Sequence, residues 1–188
     1  GNTVSGNAQG GIVAGSVGLK VTLNRVGVGA TTLANVGNTG TGIAVTSEAA
    51  EVRGNVVGHN SGVGIAASGA RSVVADNQVG QPNAAETDIG NGDAGIELLA
   101  AEATVTGNVV GHNDGAGISL LSNAKGEVRG NRIGSNTGAG VATQSADVTI
   151  RENRIGVPAT GDAARANQVG IDVAAGKANI KNLATREQ

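Results

Sequence analysis

The chain has 188 residues, with 33 Gly, 2 Pro and no Cys, Met, Phe, Tyr or Trp. Aromatic side chains fill the middle of most globules because each buries a large area, so a core without them has to be thin and built from Val, Ile, Leu and Ala. A formal net charge of −2 gives no electrostatic footprint for nucleic acid or an anionic membrane. No apolar run reaches the length of a membrane-spanning helix, and the absence of Cys excludes disulfide staples and thiolate-held metal.

Repeats organise the sequence from its first residues. Asn2, Asn24, Asn55, Asn77, Asn108, Asn131 and Asn153 stand at spacings of 22, 31, 22, 31, 23 and 22. Removing nine residues from each longer interval leaves a period of 22. A second marker keeps the same register. Ile12, Ile43, Ile65, Ile96, Ile118, Val141 and Ile171 each follow a Gly. The next inward apolar residues, Val21, Val52, Val74, Val105, Val128, Ile150 and Ile180, come nine positions later in every case but one. The exception is ten, where the segment Leu121–Gly126 carries an extra residue.

Inside each period apolar residues alternate with polar or small ones, as in Val52-Arg53, Gly54-Asn55, Val56-Val57. This is the pattern of short strands with one buried face. The Gly-Asn pair breaks the strand, because both residues tolerate left-handed backbone angles. Three short strands and three turns per period predict an all-β protein, a right-handed parallel β-helix of about seven coils. Stacked at ~4.8 Å per coil, they make a rod about 30 Å long. Stacking turns the Asn series into a ladder of side-chain amides that satisfies turn groups along the axis. A second series, Asn7, Asn60, Asn113 and Asn136, follows five residues later in the coils without an insertion.

The units Val52-Arg-Gly-Asn-Val-Val-Gly-His-Asn60 and Ile150-Arg-Glu-Asn-Arg-Ile-Gly156 resemble the repeats of parallel β-helix proteins of the pectin-lyase-like superfamily. The longer unit Ile155–Asn167 is similar to a repeat of secreted bacterial β-helix proteins. The resemblance covers nearly the whole chain and implies the fold. It does not imply one activity, since the superfamily holds lyases, hydrolases, epimerases, adhesins and inert scaffolds. Together with the lack of Cys it implies an extracellular or cell-surface location.

Three coils carry a longer loop at one corner, over residues 28–42, 81–95 and 157–170, and these should project from one side of the rod. In the second, Glu86, Asp88 and Asp93 make calcium a candidate, although the spacing matches neither the EF-hand nor the glycine-rich nonapeptide. No other cofactor is expected. His59 and His112 occupy one repeat position, with Gln81 expected between them, too far apart to share a metal. Arg129 is expected to stack on Arg151, and Arg132 on Arg154, with Glu127 and Glu152 nearby. These four arginines are the candidate binding residues, for an acidic sugar or sulfate.

No catalytic residue is assigned. Asp76, Glu97 and Asp172 read as lying at different repeat positions, which leaves no facing carboxylate pair for sugar cleavage. The expected role is therefore a non-catalytic extracellular structural or adhesive module. Its partners would be a surface glycan or its own copies stacked end to end, with no nucleic acid and no membrane insertion. The alternative is a carbohydrate-active module acting on acidic glycans. Residues 1–188 are read as one domain, a section of a longer solenoid or an end-to-end stacking unit. Three features motivate this: a first residue that is not Met, a ladder that starts at Asn2 without a preceding cap, and Leu183 where a ladder Asn is expected.

Overall fold

A computed structural model describes residues 1–81, 87–99, 102–121, 124–145, 147–157 and 165–181. Its strands form three parallel sheets of seven, and each sheet takes every third strand in chain order. This is a right-handed parallel β-helix of seven coils. Sheet A contains the two- or three-residue strands that follow the first Asn ladder, such as Arg25–Val26 and Arg132–Gly134. Sheet B contains strands such as Thr41–Val45 and Ile96–Leu98. Sheet C contains strands such as Glu51–Arg53 and Gly126–Arg129, and leads back to the ladder.

The register is the one the period demands. On sheet A, Val26, Val57, Val79, Val110, Ile133 and Ile155 lie directly over one another. Sheet B stacks Ile43, Ile65, Ile96, Ile118, Val141 and Ile171. Sheet C stacks Val21, Val52, Val74, Val105, Val128, Ile150 and Ile180. These rows make one continuous aliphatic column, fully buried from Val26 through Ile133. β-Branched side chains suit it because each stands perpendicular to its sheet and packs on its neighbour in the next coil.

Two backbone details refine the sequence reading. In coils two to seven the left-handed residue at the first corner is not the ladder Asn but the residue before it: Leu23, Gly54, Asp76, Gly107, Gly130 and Glu152 have φ from 57° to 67°. The Asn is thereby freed to turn its amide inward. In the first six coils the Gly that precedes the sheet B marker is required for space rather than for φ. A Cβ on Gly95 would stand 2.6 Å from Val110 Cγ1, 2.7 Å from Asn113 Nδ2 and 2.8 Å from the Gly117 carbonyl. The extra residue of the fifth coil falls in the turn 121–126, of which 122–123 lie outside the described residues.

Candidate functional site

The first Asn ladder is complete, and it is buried from Asn24 onward. Each Asn donates its backbone N–H and its side-chain amide to the Oδ1 of the Asn one coil on, from Asn2 to Asn24, Asn55, Asn77, Asn108, Asn131 and Asn153, at 2.9–3.2 Å. Asn55 through Asn153 are at most 2% exposed, so that part of the row presents no amide to a ligand. Its role is to satisfy the corner.

The second ladder is longer than the sequence reading had it. It runs Asn7, Asn38, Asn60, Asn91, Asn113, Asn136 and Asn167 with the same pairs of bonds. Asn38, Asn91 and Asn167 were missed because the nine-residue insertion separates the two corners. Each stands 14 residues after its first-ladder Asn instead of five, and that constant offset is the signal that would have found them.

The four candidate arginines stack as expected, Arg129 on Arg151 and Arg132 on Arg154, but the corner between them divides the set. Arg129 and Arg151 lie on sheet C. There the Glu127 carboxylate lies between them: it accepts from Arg151 Nε at 2.5 Å and meets Arg129 Nε at 3.1 Å as an ion pair without hydrogen-bond geometry. Glu152 takes Arg151 Nη1 at 2.7 Å. The hydrogen bond that Arg151 donates to Glu127, aided by the charges of Glu127 and Glu152, holds the Arg151 guanidinium above its ordinary range. Two cations meet two anions here. Lys20 and Arg53 are shared in the same way with Glu51 and Asp76, at 3.2–3.8 Å.

Arg132 and Arg154 face outward on sheet A, in a row with Thr3, Arg25, Val56, Gln78 and Val109. Arg25 shows what this position does below an inserted loop. Its Nε donates to the Gly29 carbonyl at 2.7 Å and its Nη2 to the Thr32 carbonyl at 2.5 Å, tying the loop down.

The histidine row is corrected. Gly90, not Gln81, lies between His59 and His112: the His59 N–H donates to the Gly90 carbonyl at 3.0 Å, and a Cβ on Gly90 would collide with the His112 carbonyl. The insertion begins at Gln81 and carries it out of the row. Both imidazoles clasp a loop on the preceding coil. His59 Nε2 lies 3.1 Å from the Leu33 carbonyl, and His112 Nδ1 lies 4.0 Å from Asp88 Oδ2. Gln81 is buried at 4% exposure, and among the described residues its Nε2, like His112 Nε2, has no hydrogen-bond partner.

Of the calcium candidates, Asp88 Oδ1 accepts from the Gly90 N–H and Asp93 Oδ1 from the Ala94 N–H, both at 2.8 Å; Glu86 and Leu183 lie outside the described residues. Among the described residues no three His, Asp or Glu side chains converge as metal ligands, and no helix is long and apolar enough to cross a membrane. The expectation for the acids is also corrected. Glu97 and Asp172 share one outward row of sheet B, through Ser119 and Ala142. Three coils separate them, about 14 Å at strand spacing, so they do not face each other as a pair. Glu97 is half-buried, and that burial, followed by the charge of Asp93, pushes its carboxyl above the usual range.

Fold and ladders together define a parallel β-helix solenoid, and residues 41–185 match the family described as the right-handed β-helix region. The chain belongs to that family. Among solved structures it is similar to a double mutant of the periplasmic alginate epimerase AlgG, with 19% identity and a TM-score of 0.61 over 96% of this chain and 44% of that one. It is also similar to the A-module of the mannuronan C-5 epimerase AlgE4 of Azotobacter vinelandii, with 15% identity and a TM-score of 0.62 over 95% and 54%. The A-module of the epimerase AlgE6 of Azotobacter vinelandii gives 14% and 0.58, over 99% and 57%. The chain thus spans about half the length of the solved structures it matches. At these identities the likeness is one of fold. No curated protein matches the sequence.

Proposed function

We propose that this chain is a non-catalytic structural or adhesive β-helix module that works outside the cytoplasm. The observation that carries the reading is where its repeated polar residues are spent. Both Asn ladders run through all seven coils and are buried in the middle ones, while the outward positions change from coil to coil, as a rod that displays side chains requires. Charged outward groups on sheet C are largely matched to one another. The rod grows by adding coils along its axis, so self-association end to end extends it by the same hydrogen bonds that join its own coils. A surface glycan is the other partner this reading allows. Likeness to a periplasmic epimerase supports the location.

A carbohydrate-active role is the second reading. It is favoured by the fold shared with alginate epimerases and by Glu97, a carboxyl held above its usual range on an open sheet. Incubation with alginate and polygalacturonate, with and without calcium, separates the two. New unsaturated or reducing ends, or altered uronate signals in proton NMR, lost on Arg132→Gln or Glu97→Gln, would replace the first reading by the second. Electron microscopy checks assembly; dispersed single particles at every concentration would remove self-stacking from the proposal.

A further inference from the structure

We infer that Asn91-Gly92 is a latent self-modification site: the fold holds it inert, and an opening of the fourth coil at the second ladder lets the backbone convert Asn91 irreversibly to an acid. Elsewhere in the second ladder the Asn is followed by Ala, Thr, Ser, Asp or Gln, and Asn91 alone is followed by Gly. No other Asn-Gly pair occurs in the chain. The pairing matters because the Gly92 backbone nitrogen is a nucleophile tethered to Asn91 Cγ, so that attack is intramolecular and closes a small ring. Gly has no Cβ to obstruct the approach or the backbone rotation it needs. In this step the bond from Gly92 N to Asn91 Cγ forms and the bond from Cγ to Nδ2 breaks. Nδ2 leaves as ammonia, taking the proton of the Gly92 N–H. Water then opens the cyclic imide on either side, giving an aspartyl or an isoaspartyl residue, with no oxidant or reductant involved.

The folded coil blocks each part of that step. Asn91 is 1% exposed. Its Oδ1 accepts from Asn60 N and Nδ2 at 3.3 and 2.9 Å, and its Nδ2 donates to Asn113 Oδ1 at 2.9 Å. The Gly92 N–H donates to the Asn60 carbonyl at 2.8 Å, and the Asn91 carbonyl accepts from the Asp114 N–H at 3.0 Å. Nucleophile and electrophile are therefore tied separately to the neighbouring coils. The proton that Gly92 must lose is held against a carbonyl, away from base and water. Ring closure requires these bonds to break together, which is a local unfolding of the corner. Space keeps the reactive pair in place, since a Cβ on Gly92 would stand 2.5 Å from the Ser61 carbonyl oxygen.

The product cannot rebuild the ladder. In the aspartyl form an oxygen replaces Nδ2 opposite Asn113 Oδ1, across a contact of 2.9 Å. Two acceptors then face each other without a proton between them, and the charge lies inside the wall, away from solvent. The isoaspartyl form adds a carbon to the backbone ahead of Gly92, which moves the corner out of register with Ser61 and Asp114. An opening of the coil thus leaves a permanent mark, and the mark weakens the coil that carries it.

The test incubates the intact chain at mildly alkaline pH, folded in buffer and unfolded in guanidinium chloride, and follows amide-to-acid conversion by peptide mapping and mass spectrometry. Asn60-Ser61 and Asn113-Asp114, from the same ladder, serve as internal references. In denaturant Asn91 should convert about tenfold or more faster than either reference, because only its neighbour lacks a Cβ. In the folded chain Asn91 should convert about tenfold or more slower than in denaturant. Gly92→Ala, compared in denaturant so that folding does not enter, should slow conversion at Asn91 by about tenfold or more. Asn91→Asp should lower the urea midpoint, whereas Asn35→Asp, which adds the same charge at an exposed loop position, should leave it nearly unchanged. Equal conversion of Asn91 in folded and unfolded chain, no preference over the references in denaturant, or an Asn91→Asp variant as stable as the parent would overturn the inference.

Discussion

Replacing Asn108 by Ala probes the ladder where it is most completely formed. Asn108 Oδ1 accepts from Asn77 N at 2.9 Å and Asn77 Nδ2 at 3.0 Å. Its Nδ2 donates to the Val74 and Thr106 carbonyls and to Asn131 Oδ1 at 3.0–3.1 Å. Asn77 Nδ2 keeps the Val52 carbonyl, and Asn131 Oδ1 keeps the Asn108 backbone N–H. The Asn77 backbone N–H loses its acceptor inside the wall, which costs roughly 1–3 kcal/mol. The other bonds lost contribute about 0.5–1.5 kcal/mol each. Allowing for partial repair by the survivors, Asn108→Ala should destabilise by about 3–5 kcal/mol. Asn2→Ala is the matched control. It removes only the amide bond to Asn24, because the Asn2 backbone N–H keeps Asn24 Oδ1, and should cost within about 1 kcal/mol. Urea unfolding followed by far-UV circular dichroism gives both values from the midpoints. A cost below about 1 kcal/mol for Asn108→Ala, or equal costs for the two, would refute the claim that the ladder stabilises the corner.

Gln81→Val should stabilise by about 1–2 kcal/mol. It removes a buried amide whose Nε2 has no partner among the described residues, and the other two insertions carry Val28 and Val157 at this position; a lower melting temperature would contradict this. Gly95→Ala should cost about 2–3 kcal/mol from overpacking, whereas Gly170→Ala, in the same row with nothing within 4 Å of its Cβ, should change stability by less than about 0.5 kcal/mol. Thermal melts of the pair decide whether space, rather than backbone conformation, selects that Gly. Because the folded protein holds the Glu97 proton more tightly than the unfolded chain does, this group's stabilising contribution is present at low pH and lost as the pH rises through its raised value. Glu97→Gln should therefore gain stability relative to the parent between about pH 4 and pH 7, and a difference that stays flat with pH would show that the carboxyl is not perturbed.

The sequence alone determined the repeat, the coil count, the inward rows and the first ladder. Each follows from a requirement that acts at every level of the stack. Inward positions must be aliphatic, and a corner amide must lie over another amide, so the same residue types return at a fixed interval. Tertiary structure decided what depends on neighbours rather than on period. It placed Asn38, Asn91 and Asn167 in the second ladder, because register resumes only after the inserted loop closes. It put Gly90 rather than Gln81 between the histidines, and Glu97 and Asp172 in one row. It also sorted four apparently equivalent arginines into two matched by glutamates and two on a separate sheet. A side chain's charge is written in the sequence, but whether that charge is neutralised depends on which face of a corner it occupies and what stands one coil away.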